Sequence, residues 1–156
     1  MSFAVTGLPL EDFRPLFGLP DEALAARGIL RHTADAPLGY PCRITLTDAQ
    51  PGETLLLMGY EHQPADSPFR SRHAIYVGEQ AAKTARYVDE IPPSLAARPF
   101  ISLRAFDDAG MMLDGQVAPG ADLRPMVERM LAADGVAYLH AHYAGRGCYA
   151  ARIDRA

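Results

Sequence analysis

The sequence predicts a single α+β domain over residues 1–156, with a mostly antiparallel β-sheet, helices near the N-terminus and another helix before a C-terminal β-hairpin. Three observations predict this class. A chain of 156 residues has the length of one domain that buries a substantial core. Short stretches of alternating apolar and polar residues recur with hairpin turns between them. The helical patterns lie near the two ends of the chain rather than between successive strands.

The N-terminal half begins with a strand and two short helices. Apolar residues at helical spacing follow residue 8, but Pro15 limits them to a short, distorted helix. A second helix is expected to begin at Pro20, which suits the first helical position, and to end at Gly28. The strand at 53–60 is apolar on both faces, which predicts a central position. The Pro-rich stretch 61–71 is typical of a loop, either functional or a mobile surface segment. Strands are predicted in this half at 2–8, 29–32, 42–47, 53–60 and 72–78.

The C-terminal half is predicted to hold two hairpins separated by the longest helix. Residues 83–88 show no clear preference, and the Pro-Pro pair at 92–93 breaks the chain. Alternation predicts strands at 100–106 and 111–117, joined by a turn at 107–110. One apolar stripe then predicts a helix that Gly135 ends. That stripe is Leu123, Met126, Val127, Met130 and Leu131.

Composition and charge exclude several classes of function. A net charge of -4 argues against a non-specific nucleic-acid binder, which usually carries a basic stripe. No segment approaches the roughly 20 apolar residues of a membrane helix, and the N-terminus lacks the features of a signal peptide. We therefore expect a cytoplasmic protein in which Cys42 and Cys148 are reduced. Lys83 is the only lysine, so arginine supplies nearly all of the positive charge.

The last twenty residues concentrate the polar chemistry of the chain around a Gly-Arg-Gly turn. The period-2 rule puts Tyr138, His140 and His142 on one face of a strand. The register of the following turn decides where Cys148 lies. A two-residue loop puts Cys148 opposite Tyr143, away from the histidines, whereas a three-residue loop with a left-handed Gly147 puts Cys148 on the histidine face, together with Arg152. The sequence supports both registers.

Two hypotheses make this segment a reactive site. His140 and His142 point two imidazoles into the same space, and with Cys148, Cys42 or both they offer zinc a mixed nitrogen and sulfur shell. Alternatively, Cys148 is a catalytic or redox thiol with His140 or His142 as its base. Arg146 and Arg152 near the thiol favour this second hypothesis. The simpler alternative is that both cysteines are small buried hydrophobes.

A third hypothesis concerns an anionic ligand. Four arginines lie on or beside predicted strands, where they are able to clamp a carboxylate or a phosphate. The alternative is that they pair with acidic residues on a solvated face. Three other histidines, His32, His62 and His73, have no motif around them and are expected at surface or loop positions. The candidate ligand-binding residues are Cys42, Arg43, Arg104, Arg146, Arg152, Tyr138 and Tyr149.

Two motifs carry a family resemblance. Tyr40-Pro-Cys42-Arg43 and the segment from His140 to Arg152 (His-x-His-x-Ala-x-x-Gly-Cys-Tyr-x-Ala-Arg) resemble the bacterial family named domain of unknown function 1203. The resemblance runs along nearly the whole chain. One departure is Tyr143, where the family often carries Asn, so no role for an amide is carried over. The resemblance implies a shared fold and brings no established activity, substrate or cofactor.

These observations predict a small-molecule-binding or enzymatic protein whose Cys/His/Arg site lies on the C-terminal hairpin. They leave open whether it is an enzyme. A small anionic molecule is the expected partner, zinc is the possible cofactor, and a homo-oligomer is compatible with the sequence. We expect neither nucleic acid nor a membrane as a partner. The alternative is a structural or interaction module in which the Cys/His cluster is a core network.

Overall fold

Nine β-strands form two antiparallel sheets in the computed structural model, which describes residues 1–156. The strands are β1 (Phe3–Thr6), β2 (Leu30–Thr33), β3 (Thr54–Gln63), β4 (Ser71–Gly78), β5 (Arg86–Val88), β6 (Ile101–Phe106), β7 (Met112–Ala118), β8 (Tyr138–Tyr143) and β9 (Tyr149–Arg155). The large sheet has six strands in the order β5-β1-β9-β8-β6-β7, and the small sheet has three in the order β2-β3-β4. The predicted α+β class is confirmed.

Four short α-helices surround the sheets. They are α1 (Leu10–Phe13), α2 (Asp21–Ala25), α3 (Pro93–Ala96) and α4 (Leu123–Leu131). As Pro15 predicts, α1 gives way to a 3₁₀ turn at Arg14–Leu16. A second 3₁₀ turn, Gly120–Asp122, precedes α4. None of the helices has both the length and the apolar composition that crossing a membrane requires.

The two faces of the large sheet have different surroundings. The apolar stripe of α4 packs on one face, where Val127 and Leu131 meet Leu103 and Leu139 in the main hydrophobic core. Alternation sends the intervening side chains of β6 and β8 to the opposite face. Part of the small sheet covers that opposite face, because aromatic side chains from β3 and β4 pack against rings from β8 and β9. The polar residues of the hairpin therefore lie between the two sheets.

Two segments differ from the sequence prediction in ways that affect the site. Residues 42–47 form a buried turn instead of a strand: Leu46 N donates to Cys42 O, and Leu46 has a positive φ of 57°. Burial of Ile44 and Leu46 satisfies the apolar alternation without sheet pairing. Residues 61–63, predicted as loop, continue β3 through a β-bulge. That continuation carries His62.

Candidate functional site

The polar face of the large sheet is organised as rows of residues paired across strands. Arg104 on β6 pairs with His140 on β8, which pairs with Arg152 on β9. In the neighbouring row, His142 pairs with Tyr149. His140 and His142 thus share a face, as the period-2 pattern predicts, and His140 lies between two arginines.

The small sheet contributes two further histidines, for which the sequence predicts surface or loop positions. That prediction is wrong for His62, which is 7% exposed. In β3, Glu61 and His62 together oppose Arg72 of β4, since the register shifts between the pairs at Tyr60 and Gln63. Such a bulge re-aims a side chain, and here it brings the His62 ring to 5.0 Å from the His142 ring. His73 on β4 stacks on His62, with ring centroids 5.0 Å apart.

These four residues, His62, His73, His140 and His142, form what we call the histidine cluster. His62, His140 and His142 are buried, and one ring nitrogen from each lies within 4.8 Å of those of the other two. Both sheets contribute to the cluster, since β3 and β4 belong to the small sheet and β8 to the large sheet. No carboxylate or thiol belongs to this group of converging ligand atoms.

Hydrogen bonds fix the orientation of two of these rings. His142 Nδ1 lies 2.9 Å from Gly147 O. Because a carbonyl only accepts, Nδ1 carries the proton and Nε2 keeps a lone pair. His62 Nε2 lies 2.8 Å from His73 Nδ1, so one of these two nitrogens donates to the other. The other nitrogens of the two rings, His142 Nε2 and His62 Nδ1, are buried without any partner, as is His140 Nδ1.

The cluster keeps its imidazoles neutral. Burial lowers the pKa of His140 and of His142 to about 3, and neighbouring histidines and Arg104 add to the effect. Burial, His73 and Arg104 lower the pKa of His62 to about 4. A buried imidazole far below its ordinary pKa presents a lone pair at neutral pH. The three converging rings are therefore in the state that a metal ion requires.

Arg104 is the free cation of this site. Its guanidinium makes no hydrogen bond or ion pair within the protein, and burial lowers its pKa. In contrast, Arg152 at the other end of the same row bonds to Asp154 and lies over the Tyr138 ring at 3.8 Å. A partly buried cation without a partner favours an anion nearby. The positive charge of Arg104 therefore disfavours a bare cation in the cluster and favours a cation that carries an anion with it.

Two tyrosines border the cluster without donating to the histidines. Tyr149 stacks on His62, with ring centroids 5.1 Å apart and an interplanar angle of 10°. Burial raises the pKa of Tyr149 above its ordinary value. Tyr138 accepts a hydrogen bond from Gln63 Nε2 at 2.9 Å. Both side chains act as walls that hold the rings in place.

Cys148 lies on the opposite face of the hairpin from the histidines. Gly147 is left-handed, with φ of 80°, and Gly147 N donates to Tyr143 O while Tyr143 N donates to Cys148 O. Cys148 therefore opposes Tyr143. The expectation that a left-handed Gly147 brings Cys148 to the histidine face is wrong, and so is the zinc shell that included Cys148. Arg152 does reach the histidine face because Ala150 forms a second bulge.

Cys148 belongs instead to an arrangement around Arg43. Arg43 is 2% exposed and donates to Tyr149 O at 2.8 Å, to Pro41 O at 2.9 Å and to Cys148 Sγ at 3.2 Å. The motif at residues 40–43 thus meets the C-terminal hairpin, although away from the histidines. Arg146 lies exposed on the turn. The four candidate arginines do not form one clamp.

Cys42 is a buried residue outside both arrangements. Its Sγ accepts a hydrogen bond from Gly78 N at 3.1 Å, and its side chain packs in the core of the small sheet. Both cysteines are free thiols. Cys42 therefore behaves as the small buried hydrophobe that the sequence allowed.

The comparisons with known proteins give a family and no function. A family model described as "Protein of unknown function (DUF1203)" matches residues 39–155, which is well over half of the chain. Searches of curated proteins and of solved structures found no significant match. The matched region includes β3, β4 and the C-terminal hairpin, and so all of the histidine cluster. The chain therefore belongs to the DUF1203 family of proteins of unknown function.

Proposed function

We propose that this protein binds one transition-metal ion of the zinc class through His62, His140 and His142. The observation that carries the proposal is the unpartnered nitrogen on each ring: three buried nitrogens without hydrogen-bond partners occur on three rings that converge. A buried polar atom without a partner costs about 1–3 kcal/mol. Coordination of a single ion offers all three rings a partner at once.

The donor set defines the class of metal. Imidazole nitrogens suit zinc, copper, iron and nickel, whereas magnesium and calcium prefer oxygen ligands. The contacts of His142 with Gly147 O and of His62 with His73 correspond to the second interactions that orient metal-binding histidines. Three protein ligands leave one position of a tetrahedral ion free, which is typical of a catalytic rather than a structural zinc site.

The charge of the site defines what fills that free position. Three neutral imidazoles leave the charge of the metal uncompensated, and Arg104 adds a further positive charge. No carboxylate converges with the histidines. A small anionic molecule, or a water that a bound metal would activate, would therefore complete the site. When bound, the metal supplies an activated water; Arg104 orients and compensates the anion.

The competing function is a structural module with a hydrogen-bonded core network. Such a network stabilises a fold when each of its members has a partner. In this cluster only the bonds of His142 to Gly147 and of His62 to His73 are present. The remaining buried nitrogens favour a ligand over a network.

Metal retention tests the proposal. Metal-free protein is dialysed against zinc and then against buffer, and elemental analysis is expected to find about one equivalent per chain. The triple variant His62→Gln/His140→Gln/His142→Gln is expected to retain less than about a tenth of an equivalent. His32→Gln is the matched control, because His32 bonds to Tyr76 Oη and lies outside the cluster.

A second measurement separates loss of ligands from loss of fold. Cobalt(II) in a shell of imidazoles absorbs visible light, so titration with cobalt is expected to give a spectrum in the wild type and in His32→Gln only. Circular dichroism of all variants checks that the sheets persist. Equal retention of zinc by the wild type and the folded triple variant would refute the metal site and favour the core network.

We also propose a cytoplasmic location. Both Cys42 and Cys148 are free thiols, which is the usual state in a reducing compartment.

A further inference from the structure

A concave site lies beside the C-terminal hairpin, and of the histidine cluster only His73 lines it. It is a cleft of about 660 Å³ between the turn at 144–146, the segment 98–100 before β6, and the small sheet. That volume is within the range of small-molecule sites. We call it the arginine cleft, because Arg43, Arg98 and Arg146 all line it, together with Cys148, Phe100 and Tyr76.

The charges of the arginine cleft are unbalanced. No aspartate or glutamate lines it. Arg98 donates two hydrogen bonds, of 2.9 and 2.6 Å, to the Asp48 carboxylate. Asp48 compensates the charge of Arg98 but does not itself line the cleft. Arg43 is 2% exposed and has only carbonyl oxygens, the Cys148 sulfur and the Tyr143 ring as partners. A cation buried this deeply is normally paired with an anion.

The exposed end of the cleft adds a second uncompensated cation and an apolar wall. Arg146 has no hydrogen-bond or ion-pair partner in the protein. Phe100 is 58% exposed beside it, an unusual exposure for a phenylalanine. Leu57 and Tyr76 continue the apolar lining inward. The cleft thus offers positive charge and flat apolar surface in the same space.

We propose that the arginine cleft binds a small organic anion with an apolar body, of which an aromatic carboxylate is the simplest example. Its carboxylate compensates Arg43 and Arg146, since guanidinium groups suit planar oxyanions. Its apolar body packs against Phe100, Leu57 and Tyr76. This site does not depend on a metal at the histidine cluster.

Cys148 provides a reporter inside the cleft. Its thiol is partly exposed, whereas Cys42 is 4% exposed and bonded to Gly78 N. Alkylation of the folded protein by iodoacetamide is therefore expected at Cys148 alone, and Cys148→Ser is expected to abolish it. A ligand in the cleft covers the sulfur and slows the reaction.

The experiment measures the alkylation rate against benzoate concentration, with benzamide as the neutral probe of the same shape. Benzoate is expected to slow alkylation with saturation, and benzamide to leave the rate unchanged. Arg146→Ala is expected to raise the benzoate concentration for half protection about tenfold, as loss of one charge-assisted hydrogen bond implies. Arg129→Ala is the matched control, because Arg129 is exposed on α4 far from the cleft.

Two results would overturn the inference. One is the absence of protection by benzoate, and the other is equal protection by benzamide, which would make the cleft an apolar pocket without a role for charge. Alkylation of urea-unfolded protein must be insensitive to benzoate, which excludes an effect on the reagent. Benzoate protection is expected to persist in the triple histidine variant, so failure of the metal site leaves this inference standing.

Discussion

At the scale of single residues, the hydrogen-bond partner of one ring nitrogen decides which nitrogen of a histidine is left to bind a ligand. Gly147 O holds the Nδ1 proton of His142, and His73 Nδ1 contacts Nε2 of His62. Each contact leaves the other nitrogen of the ring buried without a partner. His73 is thus a positioning residue for the proposed metal ligand His62, just as the Gly147 carbonyl is for His142.

The role of His73 is testable by replacing it with phenylalanine. His73→Phe keeps an aromatic ring against His62 and removes the nitrogen that contacts Nε2. Because such outer partners orient metal-binding histidines, we expect zinc affinity to fall about 10–100-fold. Competition with a chromogenic chelator at neutral pH measures the change. His32→Phe removes a histidine outside the cluster and serves as the control. Unchanged affinity in His73→Phe would show that His62 needs no partner.

At the scale of elements, the site depends on irregularities in otherwise regular strands. The bulge at Glu61–His62 brings β3 into the cluster, and the bulge at Ala150 brings Arg152 to the face of His140. Each bulge adds one residue to its strand and reverses the face of the residues beyond it. A shift of one residue in either place would remove a side chain from the site.

These irregularities also explain how much the sequence predicts. Strict alternation along β8 predicts that His140 and His142 share a face. The sequence does not reveal His62, because Pro64 marks a loop and nothing in the alternation announces a bulge. The one available signal is that His62 continues the alternate-residue spacing of Met58 and Tyr60. The position of Cys148 is undecided in the sequence because the left-handed turn residue Gly147 and the bulge at Ala150 together set the register, and only the glycine is visible there.

The turn of the C-terminal hairpin offers a prediction with an internal control. Gly147 has φ of 80°, whereas Gly145 has no positive φ, and a Cβ at either position meets no atom within 4 Å. Gly147→Ala is expected to lower the free energy of unfolding by about 1–2 kcal/mol, because a left-handed backbone disfavours a Cβ. Gly145→Ala is expected to be neutral or slightly stabilising. Urea unfolding compares the two, and equal effects would contradict the backbone argument.

At the scale of the whole molecule, polar contacts between residues distant in the sequence connect the segments around the two sites. Arg43 ties the buried turn at 40–47 to β9 through Tyr149 O. Around Glu79, at the end of β4, a second group of contacts fastens the N-terminal helical region to the small sheet. Glu79 accepts from Arg31 on β2 at 2.8 Å and from Gly18 N at 2.8 Å, and Arg31 also bonds to Asp21 and Leu19 O.

This second group makes stability depend on pH. The Arg31 guanidinium and Gly18 N lower the pKa of Glu79 to about 2, against an ordinary value of 4.5. A lowered pKa in the folded state means that the unfolded chain binds the proton more readily. The stabilisation is therefore fully present above pH 4.5 and is lost as the pH falls toward 2.

Glu79→Gln tests this dependence. Because Arg31 borders solvent and is screened, we expect the variant to lose about 1–2 kcal/mol of unfolding free energy at pH 7. The difference from the wild type is expected to shrink below pH 4.5 and to vanish only below pH 2, where both proteins carry a neutral side chain. Glu11→Gln is the control, because the Glu11–Arg14 pair is exposed and contributes little. Urea unfolding at a series of pH values measures both variants, and a Glu79→Gln difference that stays constant with pH would show that the ionised carboxylate does not fasten this region.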